Sequence, residues 1–490
     1  MNLPARGTGG EPEREGPAGP GPAWQRLHPL TPVVGAVRSL AVLALVLLED
    51  SRSHSGGAGP VLIVVGGLAF LLLLTGLVRF AVTRWALDGP TLRIETGLLR
   101  RDARQLPLAR IQAVDVVRPF VARAFGLAEL RVRLAGSGRA NGRLAYLTEP
   151  AALDLRARLL AGHHGLDQST PEPVEQPLVT VPPARLIVAA LLSPAAGITL
   201  VLAGTLVALT TVSQAAAAAI GGTLFVYVIS FAHRTWRRVA DQYGFAVALA
   251  PDGLRLRRGL LSTVAETVPF ARVQAVRKVE PLAWRPMGWC RVEVDVAGSP
   301  GREQGTRSSR LTRALLPVGP VATADWLLSS ALGLRQFELA KPPRRAVWKS
   351  PLSYHFLGSA SESGVVAASR GRVRKTTTWM PLEKVQSIRW VEGPLQRALH
   401  LATVRVDAAG RGVVADMRDR DSGEANDLFE SLVAASRSAR RHGPTPAVPR
   451  GAMSTAVPSS NAAPHPAPPQ APGEAELGGP ALGQPGAPRL

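Results

Sequence analysis

Residues 106–114 read LPLARIQAV, residues 268–276 read VPFARVQAV and residues 380–388 read MPLEKVQSI. Each block sets a proline (Pro107, Pro269, Pro381) three residues before a base (Arg110, Arg272, Lys384), and a glutamine follows two further on (Gln112, Gln274, Gln386). A pattern that returns in this way marks an internal repeat. The likeness extends downstream. Seven residues after the glutamine stand Pro119 and Pro281, and the third copy carries one extra residue before Pro394. Beyond them GLAELRVRLAG (126–136), GWCRVEVDVAG (288–298) and HLATVRVDAAG (400–410) align without a gap. In the second of these, Cys290, Val292, Val294 and Val296 alternate with Arg291, Glu293 and Asp295, which predicts a strand with one buried face. Upstream, residues 92–98, 245–249 and 254–257 read as short strands between Gly and Asp turns.

A helix closes each unit. Thr148 precedes the first, over 150–160. The second runs over 321–332 and is stopped by Gly333. Asp421 and Glu424 have capping-box spacing ahead of the third. Each unit is thus predicted as an antiparallel sheet that buries its apolar face against one C-terminal helix.

Four apolar runs lie around these units. A bilayer core takes about 20 apolar residues in a helix. Residues 29–48 are interrupted by Arg38 and end on Glu49 and Asp50. Residues 61–78 carry no charge and are followed by Arg79 and Arg84. Residues 186–212 contain Pro194, and residues 215–232 precede Arg234, Arg237 and Arg238. They read as two transmembrane hairpins. Arg26, Arg79, Arg84, Arg185 and the 234–238 cluster share one side, which the excess of bases in cytoplasmic loops makes the cytoplasm. The first run begins near residue 30 behind a Pro/Gly-rich leader, so no cleaved signal peptide is expected. The expected organisation is a disordered leader (1–28), hairpin (29–85), first unit (86–165), linker (166–183), hairpin (184–235), second unit (240–336), third unit (344–437) and a disordered Pro/Ala/Gly-rich tail (438–490).

Strands with a terminal helix, the Pro-x-x-Arg/Lys-x-Gln block and its position after helical hairpins resemble the bacterial pleckstrin-homology (PH) domain membrane proteins, in the form with two transmembrane hairpins and three PH-like domains. The likeness runs from about residue 24 to residue 437 and includes Trp24, Leu27, His28 and Pro29 ahead of the first hairpin. Glu383 and the extra residue before Pro394 depart from it. The resemblance implies an α+β membrane protein: two transmembrane helical hairpins plus three PH-like β-barrel domains, each closed by a C-terminal helix. Superfolds of this kind host many functions, so activity does not follow from it.

Composition narrows the choice. The 490 residues hold 57 bases against 36 acids, net +21, yet only five are lysines; an Arg, Ala, Gly and Pro bias of this kind arises in GC-rich genomes without selection for binding. The single cysteine, Cys290, excludes a disulfide framework and any Cys-pair zinc site within one chain. The nine histidines show no HExxH spacing, and phosphate loop, dinucleotide fingerprint and nucleophile elbow are absent. No enzyme activity, cofactor or metal is therefore expected. Stacking aromatics interleaved with the bases are scarce, which disfavours nucleic acid.

Bases do gather ahead of each signature: Arg100, Arg101 and Arg104; Arg255, Arg257 and Arg258; Arg370, Arg372, Arg374 and Lys375. In a PH-like fold they fall on the first strands and their connecting loop, where phosphoinositide-binding families hold the headgroup. Facing an anionic leaflet, each gains about 1 kcal/mol; as a solvated strand face they bind nothing. The prolines and glutamines of the signature read as structural, the amide bridging backbone groups at a bend. The expected function is a non-enzymatic scaffold or adaptor in the cytoplasmic (inner) membrane, both termini cytoplasmic, binding another membrane or cytoplasmic protein. One alternative is a sensor of anionic lipid headgroups through the basic first hairpins. Another is a small transporter or membrane enzyme with its site between the hairpins.

Overall fold

In a computed structural model the described residues are 24–34, 37, 58–97, 101–134, 142–163, 176–250, 253–297, 312–334, 338–408 and 413–442. The chain is mixed α+β and repeats one plan three times. Unit one comprises β1 (Gln25–Arg26), helix α1 (Ala58–Val82), β2 (Arg84–Asp88), β3 (Thr91–Thr96), β4 (Asp102–Pro107), β5 (Ile111–Pro119), β6 (Leu127–Leu134), β7 (Gly142–Thr148) and α2 (Glu149–His163). Unit two follows with β8 (Gln176–Thr180), α3 (Pro183–Leu191), α4 (Pro194–Val212), α5 (Gln214–Gln242), β9 (Ala246–Ala250), β10 (Gly253–Arg258), β11 (Ser262–Pro269), β12 (Val273–Pro281), β13 (Trp289–Val296), β14 (Thr312–Pro320) and α6 (Val321–Leu332). Unit three has β15 (Gly358–Glu362), β16 (Val365–Arg370), β17 (Arg374–Pro381), β18 (Val385–Val391), β19 (Leu401–Ala408), β20 (Val414–Asp421) and α7 (Ser422–His442).

The signature is the corner between the two sheets of a unit. Pro107, Pro269 and Pro381 end β4, β11 and β17 with φ of −61°, −65° and −62°, the value the proline ring fixes. A one-turn 3-10 helix follows each and ends on the basic residue (Leu108–Arg110, Phe270–Arg272, Leu382–Lys384). The glutamine then sits in a β-bulge. Register slips between Ile111 and Ala113, Val273 and Ala275, and Val385 and Ser387. An extra residue bends the strand and sharpens its twist, which turns the chain into the second sheet.

Each unit opens before the point the sequence suggests. Gln25 and Arg26 pair with Trp85 and Arg84, β8 pairs with β9, and Ala340 bridges to Ser359. The stretches read as leader (1–28) and linker (166–183) therefore contribute strands. The helices are inserted between a unit's first and second strands. In unit three that place holds only two 3-10 turns, Arg344–Val347 and Tyr354–Phe356.

The sheets do not stop at unit boundaries. Strand order is β1-β2-β3-β4, then β7-β6-β5-β11-β10-β9-β8, then β14-β13-β12-β17-β16-β15, then β18-β19-β20. The second sheet of one unit thus continues edge to edge into the first sheet of the next. Val116–Pro119 run antiparallel to Ser262–Ala265, and Val276–Pro281 antiparallel to Arg374–Trp379. Among the described residues each closing helix fills a core: Ala152, Leu155 and Leu159 of α2 the first, Ala324, Leu327 and Leu328 of α6 the second, and Ala425 and Leu432 of α7 the third, with a smaller cluster of Val34, Ala122, Leu127 and Tyr146 beside the first. The second core also takes in Ala367 and Trp379 of unit three.

Sheet fusion corrects one reading of the strand pattern. The polar face of β13 is not in water: Glu293 and Asp295 are both buried. The run 186–212 is also not one helix. Its chain breaks at Leu192 and Ser193; Ser193 Oγ accepts from the Ala196 N–H at 3.3 Å, and Pro194 takes the first-turn position that suits it. Leu186, Ala189 and Ala190 of α3 bury against the unit, leaving α4 as a separate helix. Among the described residues α4 is the one helix long and apolar enough to cross a membrane: Pro194–Thr211 has mean hydropathy 1.7, and none of it is buried. The first apolar run lies mostly outside the described residues, as do most of the leader and the tail beyond residue 442.

Candidate functional site

Two features bring side chains together: the strand junctions between units, and a cleft at the foot of α1.

At the first junction Asp115 on β5 and Glu266 on β11 lie at opposed register positions, continuing the pairing of Val116 with Ala265. Two buried carboxylates at such a place repel unless bases intervene. Arg133 Nε donates to Asp115 at 2.9 Å, its Nη2 to Glu266 at 2.9 Å, and Arg313 reaches Glu266 at 2.8 Å. Burial pushes the Glu266 carboxyl up, but Arg313 and Arg133 outweigh it and hold the group below the usual carboxylate range. At Asp115 burial prevails over Arg133, and its pKa is raised. Arg156 of α2 adds a 3.1 Å hydrogen bond to Thr267 Oγ1 across the same boundary.

The second junction uses other charges. Glu293 pairs with Arg277, lies 3.0 Å from Arg291 and 3.7 Å from Arg374 of the next unit; Lys375 reaches Glu280 at 3.6 Å. Burial raises the Glu293 carboxyl, and Arg291 with Arg277 overcome it, leaving the pKa lowered. Lys384 of the third signature donates to the Ala271 carbonyl in the second at 3.0 Å. The lone thiol, Cys290, is buried and pushed up to about 12, which makes it inert at neutral pH.

The ten basic candidates thus separate. Arg255 is buried on β10, Arg370 pairs with Asp416 inside unit three, and Arg374 and Lys375 hold the second junction. Arg258 lies 3.8 Å from Glu266, while Arg257 and Arg372 are exposed. Arg104 pairs with Asp102 at 2.8 Å. Arg100 lies outside the described residues. Arg101 remains exposed, and it lines a cavity of about 210 Å³ with Arg26, Arg84 and Glu95. Arg84 pairs with Glu95 at 2.8 Å and stacks 4.7 Å from the Trp24 ring. A second cavity, of about 500 Å³, shares Val82, Thr96 and Gly97 with it and is lined by Leu74, Thr75 and Val78 of α1. A cationic mouth thereby adjoins an apolar groove.

Of the signature residues, Gln274 is buried with its Oε1 unpartnered, so that oxygen forms no amide bridge; Gln386 is exposed, and the Gln112 side chain lies outside the described residues. Sequence reading passed over Asp115, Arg133, Glu266 and Arg313. Their signal was the mixed charge on strands whose other face is apolar.

Three copies, each of two antiparallel sheets joined at a proline corner and closed by a helix, are in keeping with the family comparison. The family model described as Bacterial PH domain matches residues 33–163, 184–331 and 313–435. The chain belongs to the bacterial PH domain family. A search of the curated proteins finds no match. Three PH-like domains joined through strand edges give this bacterial PH protein the means of a binding or scaffold role. Among the described residues no group of three or more His, Cys, Asp and Glu side chains is placed to hold a metal.

Proposed function

We propose that this PH-domain protein is a non-enzymatic integral membrane scaffold, displaying three fused PH-like domains at the cytoplasmic face of the inner membrane for protein binding. The observation that carries this reading is α4, an apolar helix none of which is buried, inserted between two adjacent strands of unit two. Leu200 is 75% exposed, Val201 68%, and Phe225 of the following helix 67%. Water disfavours such a surface by about 25 cal/mol per Å², whereas a bilayer accepts it. Arg185 precedes these helices and Arg234, Arg237 and Arg238 follow the apolar stretch, the bias expected of a cytoplasmic side. The test is sidedness in intact cells. With Cys290 inert, Ser213→Cys between α4 and α5 is expected to react with a membrane-impermeant maleimide, and Arg257→Cys only after permeabilisation. Equal labelling of the two would end the proposal.

A second reading rests on the cleft at α1. Arg26, Arg84 and Arg101 line one cavity with a single carboxylate beside an apolar groove, a fit for an anionic phospholipid with its headgroup on the arginines and its chain along Leu74 and Val78. The full-length Arg26→Gln/Arg101→Gln variant is expected to co-purify with less anionic phospholipid than the parent chain. Unchanged lipid content would remove this reading.

A further inference from the structure

The two junctions obey one register rule. Counting from the signature, the residue five after the glutamine pairs with the residue five before the next unit's proline: Val117 with Val264, and Val279 with Thr376. In each case the strand before the proline of unit n+1 meets the strand after the glutamine of unit n. Three units in a row leave one strand of each kind unused. β4 of unit one and β18 of unit three are the outer strands of their sheets. Their counterparts, β11 and β17 on one side and β5 and β12 on the other, are all paired. The remaining edges differ in kind. β7, β14 and β20, and likewise the opening strands β1, β8 and β15, are sheet edges in every copy, so nothing in the repeat completes them.

We propose that β18 of one chain pairs antiparallel with β4 of a second copy, in the register of the two internal junctions, so that chains join head to tail.

The rule sets Ile388 opposite Gln105, Arg389 opposite Arg104, Trp390 opposite Ala103 and Val391 opposite Asp102. These strands are open to such a partner: Asp102, Ala103, Arg104 and Gln105 are exposed, as are Gln386, Ser387, Arg389 and Val391. Backbone direction agrees as well. The Leu108 N–H donates to the Pro90 carbonyl at 2.8 Å, and N–H direction alternates along a strand, so the N–H groups of Ala103 and Gln105 point away from β3.

Charge gives an independent argument. At the first internal junction two like charges, Asp115 and Glu266, occupy opposed positions and are neutralised by flanking arginines, Arg133 among them. In the proposed contact the same positions hold Arg389 and Arg104. The residue aligned with Arg133 is Asp407, which pairs with Arg389 at 2.6 Å, and Arg104 already carries Asp102 at 2.8 Å. Three signs are inverted, and Asp102 keeps neutrality where the internal junction uses Arg313. The internal Lys375 and Glu280 pair also has its counterpart, for the aligned residues are Arg101 and Glu392. A flat apolar edge would attract any strand. These charged edges suit each other and discourage the rest.

Such a contact is heterologous, so it closes into a ring or extends as a filament. Arg104 and Arg389 form its non-hydrogen-bonded pair, where opposed Cα atoms come within about 4.5 Å, inside disulfide range. Both side chains are exposed, and neither lines the lipid-sized cleft. The full-length Arg104→Cys/Arg389→Cys variant, oxidised in native membranes, is expected to give a ladder of interchain disulfide oligomers. Co-expressed single variants should stop at the dimer, and each single variant alone should give none. Adding Ala103→Pro removes an outward N–H without touching the β3 pairing and should abolish the ladder. No interchain product from the double variant, dimers from Arg104→Cys alone, or a ladder unchanged by the proline would each overturn the proposal.

Discussion

The junction between units one and two and the junction between units two and three share a backbone and differ in nearly every side chain. The first joins four residue pairs and buries two facing carboxylates among arginines. The second joins six and sets one carboxylate, Glu293, among three arginines, with a lysine bridge at its end. Register is common because the proline corner and the glutamine bulge fix where each strand begins. Charge is free to change sign because any arrangement that neutralises the buried groups satisfies the same ladder. Pairing geometry is thus the heritable part of the contact, and polarity is its variable part.

The sharpest way to break the comparison is Glu266→Ala. Arg133 and Arg313 are only 13% and 11% exposed; Arg313 relies on that carboxylate, and Arg133 shares it with Asp115. Removing one partner of a buried ion network costs about 3–5 kcal/mol. Urea unfolding of the full chain should show a loss of that order, and a shift below about 1 kcal/mol would mean the first junction is held by its backbone alone.

Acid should separate the two junctions. Glu293 has a lowered pKa, so its contribution is present above the ordinary glutamate value and is lost as pH falls through the depressed one. Glu266 behaves likewise, but Asp115 has a raised pKa and favours the folded state as it protonates, which offsets part of the loss. Hydrogen exchange at pH values stepped down from 5 should therefore open β17 before β11. Opening in the reverse order would contradict this account.

The smallest effect is expected from Lys375→Ala. Its 3.6 Å contact with Glu280 is partly solvated, and exposed pairs contribute about 0–1 kcal/mol. A midpoint shift equal to that of Glu266→Ala would show that the rim of the second junction matters as much as its buried part.

The repeat was legible in the sequence because its corners are chemically specific: only proline fixes φ at the strand end, and the bulge returns at the same distance every time. Another repeated position went unread. Gly97, Gly259 and Gly371 each stand ten residues before the signature proline, with φ of 109°, 113° and 91°. A Cβ at Gly259 or Gly371 would collide with the carbonyl oxygen of Ser262 or Arg374. The opening strands were missed for a physical reason. β1 has two residues, and 57 others separate Arg26 from its partner Arg84, so no local pattern marks it. Junctions were illegible because edge pairing is a property of backbone groups common to all residues. Pro194 was seen, but inside one apolar run rather than at the start of a second helix; Ser193 beside it was the missing cue. Charge clustering left two readings open in the sequence. Arg255, Arg370, Arg374 and Lys375 look like a binding surface in one dimension and are largely occupied by the protein's own carboxylates or buried in three.

The placement of the helical insertions has a consequence for how such chains can diversify. Arg26 and Arg84 face each other across two strands, as do Thr180 and Ala246, and as Ala340 and Ser359 do around a short loop. Whatever leaves the sheet at these points returns one strand-spacing away. The insertions are plug-in cassettes on a socket that the sheet itself closes, and exchanging a long one for the unit-three loop would leave every rung of the ladder beneath it in place.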